Sequence, residues 1–253
     1  MGLFNWGKKD NKKTAEAAKP LIDTSGFISA EEYFFNYLAY EMQQISSDNL
    51  NPQTVYYETF EAFATPMLEM DGRAGAFNER AQRFMFGLDG EKNIDKAIEL
   101  FEKAIEFGHP DAMANLAEIY RNPNFDRVDY KKYFIVIEKA AKRGSWMGMF
   151  NLSRAYYKGK EAFGGIGVER DKAKAVAWEV AAANMACDIL TVFSENRCSK
   201  RFMSYMQRVH QVCVQGTHGA VQEMLSGDGI PVDKQGAKKL LEKVIPLDRK
   251  SVV

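Results

Sequence analysis

The chain has 253 residues, 46% apolar and 27% charged, with 34 basic and 34 acidic side chains. That balance, with its basic residues dispersed, excludes a strongly basic nucleic-acid binder, and no apolar run is expected to approach the ~20 residues that span a bilayer. Three cysteines, Cys187, Cys198 and Cys213, are an odd number at unpatterned spacing, which argues against a disulfide framework and for a reducing, cytoplasmic setting.

Residues 1–20 combine Leu3, Phe4 and Trp6 with Lys8, Lys9, Lys12 and Lys13 and read as a flexible basic tail. They lack the apolar core of a secretion signal. Trp6 stands where a myristoylation signal at Gly2 requires Ser or Thr. Leu3, Phe4 and Trp6 beside lysines also suit a weak peripheral membrane contact.

Between Leu21 and Gly72 the composition shifts. Nine carboxylates, among them Glu31, Glu32 and Glu41, occur without one Lys or Arg, so the rest of the chain carries the compensating positive charge. Ser29 with Glu32 makes a capping box for a helix to about Ser46, and Asn51-Pro52 opens a second to about Thr65. This acidic hairpin carries many aromatics, Tyr40 and Tyr57 among them. It reads either as a cap packed on the first repeat or as a docking face rich in hot-spot residue types.

From residue 73 onward one pattern recurs. An aromatic or Met precedes a turn former by three in Phe84/Gly87, Tyr120/Pro123, Tyr156/Gly159 and Met224/Gly227. A helix cap follows at Asn93, Asp129, Asp171 and Asp233, each able to accept from the free N–H groups of a first turn. Four residues after each cap begins an apolar stripe: Ala97, Leu100, Ala104; Tyr133, Val136, Ala140; Ala175, Trp178, Ala182; Ala237, Leu240, Val244. The i, i+3, i+7 spacing places each set on one helix face. Gly108 and Gly144 close two units 36 residues apart. The units run over about 73–108, 109–144, 145–186 and 217–246, with an irregular segment at 187–216 and a tail at 247–253.

These landmarks resemble the Sel-one-like repeats (SLR), relatives of the tetratricopeptide (TPR) repeats. The residues that fit include Leu152, Tyr156, Gly159, Gly167, Val168, Asp171, Lys174, Ala175 and Trp178, and again Gly227, Gly229, Asp233, Ala237, Leu240 and Lys243. The resemblance covers about residues 77–245. It implies an all-α protein, an α-solenoid of antiparallel helix pairs wound as a right-handed superhelix, whose first helices line a concave groove. On those first helices Asn115, Glu118 and Arg121 match Asn151, Arg154 and Tyr157 in register, and these six are the expected partner contacts.

The loop between Gly159 and Asp171 is longer than its counterparts and reads as a flexible contact loop. Its glycines form no phosphate-binding motif, so no nucleotide or other cofactor is expected. Cys198, His210, Cys213 and His218 could be drawn together as metal ligands, since His210 and Cys213 are i, i+3 on one helix, but their spacing matches no zinc module. Cys213 also falls on a core position, where a thiol simply packs. The expected function is therefore a cytoplasmic, non-catalytic scaffold that grips a protein or peptide over several units. An inhibitor or immunity-type protein that covers a basic toxin or enzyme with the acidic hairpin is the alternative, and a Cys/His metal-dependent enzyme the second.

Overall fold

The computed structural model describes residues 21–32, 73–88, 90–109, 111–195 and 203–250. The described residues form eight α-helices longer than one turn: α1 (Arg73–Phe86), α2 (Ile94–Glu106), α3 (Ala112–Arg121), α4 (Tyr130–Lys142), α5 (Trp146–Lys158), α6 (Lys172–Glu195), α7 (Met203–Ser226) and α8 (Lys234–Lys250). Each packs on the next in sequence from α1 to α8, with α3 also touching α5 and α6 touching α8. That is the contact order of stacked helix pairs.

Local chemistry sets the helix boundaries. Asn93, Asp129 and Asp171 accept from the N–H groups of Lys96, Lys132 and Lys174, each at 3.0 Å, and Asp233 accepts from Gly236 at 2.8 Å. Between units, Ser145 N–H donates to Ala140 carbonyl at 3.0 Å and Gly144 N–H to Ala141 at 3.0 Å, closing α4 with Gly144 at φ +89. The stripes read from sequence are the core: Ala97, Ala104, Ala140, Ala175 and Ala182 are fully buried, Leu100, Tyr133, Trp178, Ala237, Leu240 and Val244 buried, and Val136 half-buried. Small residues draw the pairs together. A Cβ on Gly148 of α5 would fall 2.6 Å from Ala140 Cβ of α4.

Residues 187–195 extend α6 and residues 203–216 open α7, and Cys187, Ile189, Val209 and Cys213 in that segment are fully buried. The last helix runs to Lys250. Two expectations are corrected. The long loop after α5 is anchored and not a free contact loop: it turns through a 3-10 helix, Lys160–Phe163, and buries Phe163. The Phe163 ring lies 5.4 Å from Tyr130, 5.8 Å from Tyr133 and 5.0 Å from Phe134. Farther along the loop, a Cβ on Gly167 would sit 2.2 Å from the Phe134 ring. One apolar run, Lys172–Val192, does have the length and composition of a membrane span, with mean hydropathy 1.3. Its Ala175, Trp178, Ala182, Ala186 and Ile189 are buried against neighbouring helices, and that packing accounts for the apolar content.

The segment before α1 docks on the middle of the array. Ile28 N–H donates to Arg143 carbonyl at 3.2 Å, Gly26 abuts the Lys142 carbonyl, and the Phe27 ring lies 6.4 Å from Trp178. Residues 21–30 thus strap the turn between α4 and α5 onto α6. Ser29 Oγ accepts from Glu32 N–H at 3.1 Å, as the capping box requires, and both Glu31 and Glu32 are exposed. Glu41, Tyr40 and Tyr57, with the rest of the expected hairpin, lie outside the described residues, as does the tail at 1–20.

Candidate protein-binding surface

The first helices of the second and third units, α3 and α5, carry the six register-matched positions. On α3 all three are committed to intramolecular partners. Asn115 Nδ2 donates to Asn78 Oδ1 of α1 at 2.9 Å, and Asn78 is buried. The Arg121 guanidinium donates through Nε and Nη2 to one Glu118 oxygen while Asn122 Nδ2 donates to the other at 2.9 Å, so both carboxylate oxygens have internal partners. All three α3 side chains are half-buried.

On α5 the arrangement is more open. Arg154 is exposed, with its guanidinium carbon 5.0 Å over the Phe150 ring, while Asn151 and Tyr157 are half-buried. Tyr157 hydroxyl donates to Glu179 Oε2 of α6 at 3.0 Å. Burial, reinforced by Glu179, raises the phenol, and burial likewise raises the Glu179 carboxyl against the opposing pull of the Tyr157 bond and Arg154. Toward α7, Lys172 Nζ lies 2.7 Å from both Glu223 and Asp228, tying the start of α6 to the end of α7.

Glu179 is the residue that sequence reading missed. Room for it comes from Gly216 and Gly219 on α7: a Cβ at Gly219 would lie 2.8 Å from Glu179 Oε1. The signal was present as two glycines three apart inside a helix, each costing about 1 kcal/mol against Ala and so implying a close approach. Phe27 was missed as well. The strap leaves a cleft of about 340 Å³ between Ile22, Thr24 and Phe27 on one side and the Ala177–Asp188 face of α6 on the other.

Of the residues considered for metal, the described ones, His210, Cys213 and His218, are not grouped to hold an ion. Cys198 lies outside the described residues, Cys213 faces Cys187, and among the described residues no three His, Cys, Asp or Glu side chains are grouped to hold an ion.

Helix pairs joined by a repeated cap-and-turn, each pair packed on the next, define an α-solenoid. The Sel1 repeat family model matches residues 78–109, 110–132, 146–186 and 219–243, so the chain carries four Sel1 repeats. Repeats of this family generally mediate protein–protein interactions and are typically non-catalytic. Among solved structures, the chain is similar to c5321, a protective antigen of uropathogenic Escherichia coli displaying an SLR fold. The two share 18% identity at a TM-score of 0.39, over 68% of this chain and 38% of that one. It is also similar to a Sel1 repeat protein from Oxalobacter formigenes, with 16% identity and a TM-score of 0.40, over 88% and 84% of the respective chains. No curated protein sequence matches the chain.

Proposed function

We propose that this protein is a non-catalytic scaffold that binds a protein partner on the first-helix surface of its middle units, centred on Arg154 and Tyr157 with Glu179 behind them. The observation that supports this reading most is the Arg154–Tyr157–Glu179 arrangement. An exposed cation is stacked on Phe150, one helical turn from a phenol held by a half-buried carboxylate. Arg and Tyr are the residue types that dominate interface energies when they sit rigidly at the centre of a contact. Holding them in place beforehand reduces the side-chain entropy lost on binding. Asn115, Glu118, Arg121 and Asn151 extend the same row in this reading. The internal hydrogen bonds of Asn115, Glu118 and Arg121 make that part of the surface stiff.

The test begins with affinity capture from the native cell and identification of the partner by mass spectrometry. Binding of that partner is then measured for Arg154→Ala and Tyr157→Phe, with circular dichroism and thermal unfolding as controls. Arg154→Ala is expected to weaken binding by tenfold or more, mainly through faster dissociation, with little change in folding. Unchanged affinity in both variants, with a loss from Tyr40→Ala and Tyr57→Ala or from joint Glu31, Glu32 and Glu41→Gln, would move recognition to the acidic N-terminal segment.

A further inference from the structure

We propose that Cys187 and Cys213 form a redox couple that closes to a disulfide and staples α6 of the third unit to α7 of the fourth. The two Sγ atoms lie 2.6 Å apart, against about 2.0 Å for an S–S bond, so closure needs only a small shift of the two side chains. Both thiols are free and both residues are fully buried. They face each other on helices that pack along much of their length. Among the described residues no third ligand-type side chain joins them to make a metal site. The protein-binding surface uses neither of them.

The Cys213 contact and burial raise the Cys187 thiol, so in the closed core it stays protonated and is a poor nucleophile. Oxidation therefore belongs to the open seam, before the fourth unit docks on the third. A small disulfide of the glutathione type is a sufficient oxidant. One cysteine thiolate attacks it, forming a mixed disulfide and releasing one small thiol. The second cysteine thiolate attacks the protein sulfur of that mixed disulfide, closing the Cys187–Cys213 bond and releasing the second small thiol. In sum two protein thiols are oxidised and one small disulfide is reduced.

The consequence follows from the architecture. In a linear array a terminal unit is held only by its one neighbour. A bridge closing a loop of 26 residues between them suppresses fraying of that end. With the bridge formed, cysteine usage no longer argues for a reducing compartment.

The full chain is reduced, unfolded in guanidinium, refolded with oxidised and reduced glutathione, and alkylated with iodoacetamide in denaturant. The expected product carries one alkyl group, on Cys198, with a peptide pair linked through Cys187 and Cys213. Its Tm is expected about 4–12 °C above that of the chain held in dithiothreitol. Cys198→Ser should keep both results, and Cys213→Ala should make Tm insensitive to dithiothreitol. Three alkylated cysteines in the refolded chain, a bridge through Cys198, or a bridged chain whose Tm does not fall on reduction would each overturn the proposal.

Discussion

Asp171 N–H donates to the Tyr156 carbonyl at 3.0 Å while its side chain caps α6, so one residue both closes the turn and starts the next helix. The same backbone bond joins Asn93 to Phe84, Asp129 to Tyr120 and Asp233 to Met224, each at 2.9 Å. In three of the units the Lys three residues after the cap then lies over the aromatic ring, at 4.5 Å for Lys96 on Phe84, 5.3 Å for Lys132 on Tyr120 and 5.6 Å for Lys174 on Tyr156. The fourth replaces the pair by Gly236 and Met224, and a Cβ on Gly236 would lie 2.6 Å from Met224 Cε. Aromatic, cap and Lys thus form one device, repeated because each unit must turn through the same angle.

Removing the cap tests that device. Asp171→Ala leaves the backbone bond and deletes the acceptor for Lys174 N–H together with the ion pair to Lys174 Nζ at 3.2 Å; the N–H bond is also the main reason the Asp171 carboxyl sits below its ordinary value near 3.8. The loss is expected to be about 0.5–2 kcal/mol in urea unfolding at pH 7. A depressed folded value means stability present above the unfolded pKa and lost as pH falls through the folded one. The difference between wild type and variant should therefore shrink below about pH 4. Equal stabilities at pH 7 would show that the turn does not depend on the carboxylate.

Trp178 and Phe27 test the strap. Trp178→Ala empties a buried aromatic site and should cost roughly 3–5 kcal/mol. Phe27→Ala should cost less, since Phe27 is only half-buried. A double-mutant cycle should give a coupling of about 0.5–1.5 kcal/mol, because the rings are 6.4 Å apart. Additive effects would mean that the strap does not hold α6 in solution.

Gly167 tests the anchored loop. At φ +104, with the Phe134 ring where a Cβ would be, Ala can fit only by moving both the loop and the ring. Gly167→Ala is expected to destabilise by at least about 1–3 kcal/mol, with near-ultraviolet circular dichroism reporting disturbed Tyr130, Tyr133 and Phe134. Gly164, with nothing within 4 Å of its Cβ position, is the control for strain alone. Equal losses at the two positions would separate the backbone effect from packing and remove Phe134 from the account.

His109 sets a pH dependence. Buried at the start of the second unit, it accepts from Asp111 N–H through Nδ1 at 3.2 Å, and burial lowers its pKa from 6.5 to about 3. The folded imidazole therefore stays neutral while the unfolded one charges below pH 6.5, so the unfolded state binds the extra proton. Stability should fall by about 1 kcal/mol between pH 7.5 and 5.5 from this group. His109→Gln keeps an acceptor without the titration and should flatten that part of the profile. Parallel profiles in chemical denaturation would sink the assignment.

The residues that recur in sequence determined the helix pairs and the core, because caps, turn formers and i, i+3, i+7 stripes act within about a dozen residues. Asp129, Tyr133 and Ala140 or Asp233, Ala237 and Val244 need no distant partner to announce a capped helix with one buried face. Tertiary structure decided everything that joins residues far apart in the chain. Phe27 reaches Trp178 only because Gly26 and Gly144 let the strap approach the turn after α4. Phe163 fills a site made by Tyr130, Tyr133 and Phe134, which turns a glycine-rich insertion into an anchor. Glu179 has its place because two glycines on α7 leave space beside Tyr157. Cys187 meets Cys213 because α6 and α7 outrun the repeat period. A pattern periodic in sequence encodes a helix face, whereas these contacts depend on the three-dimensional stacking of helices whose order of approach no local period records.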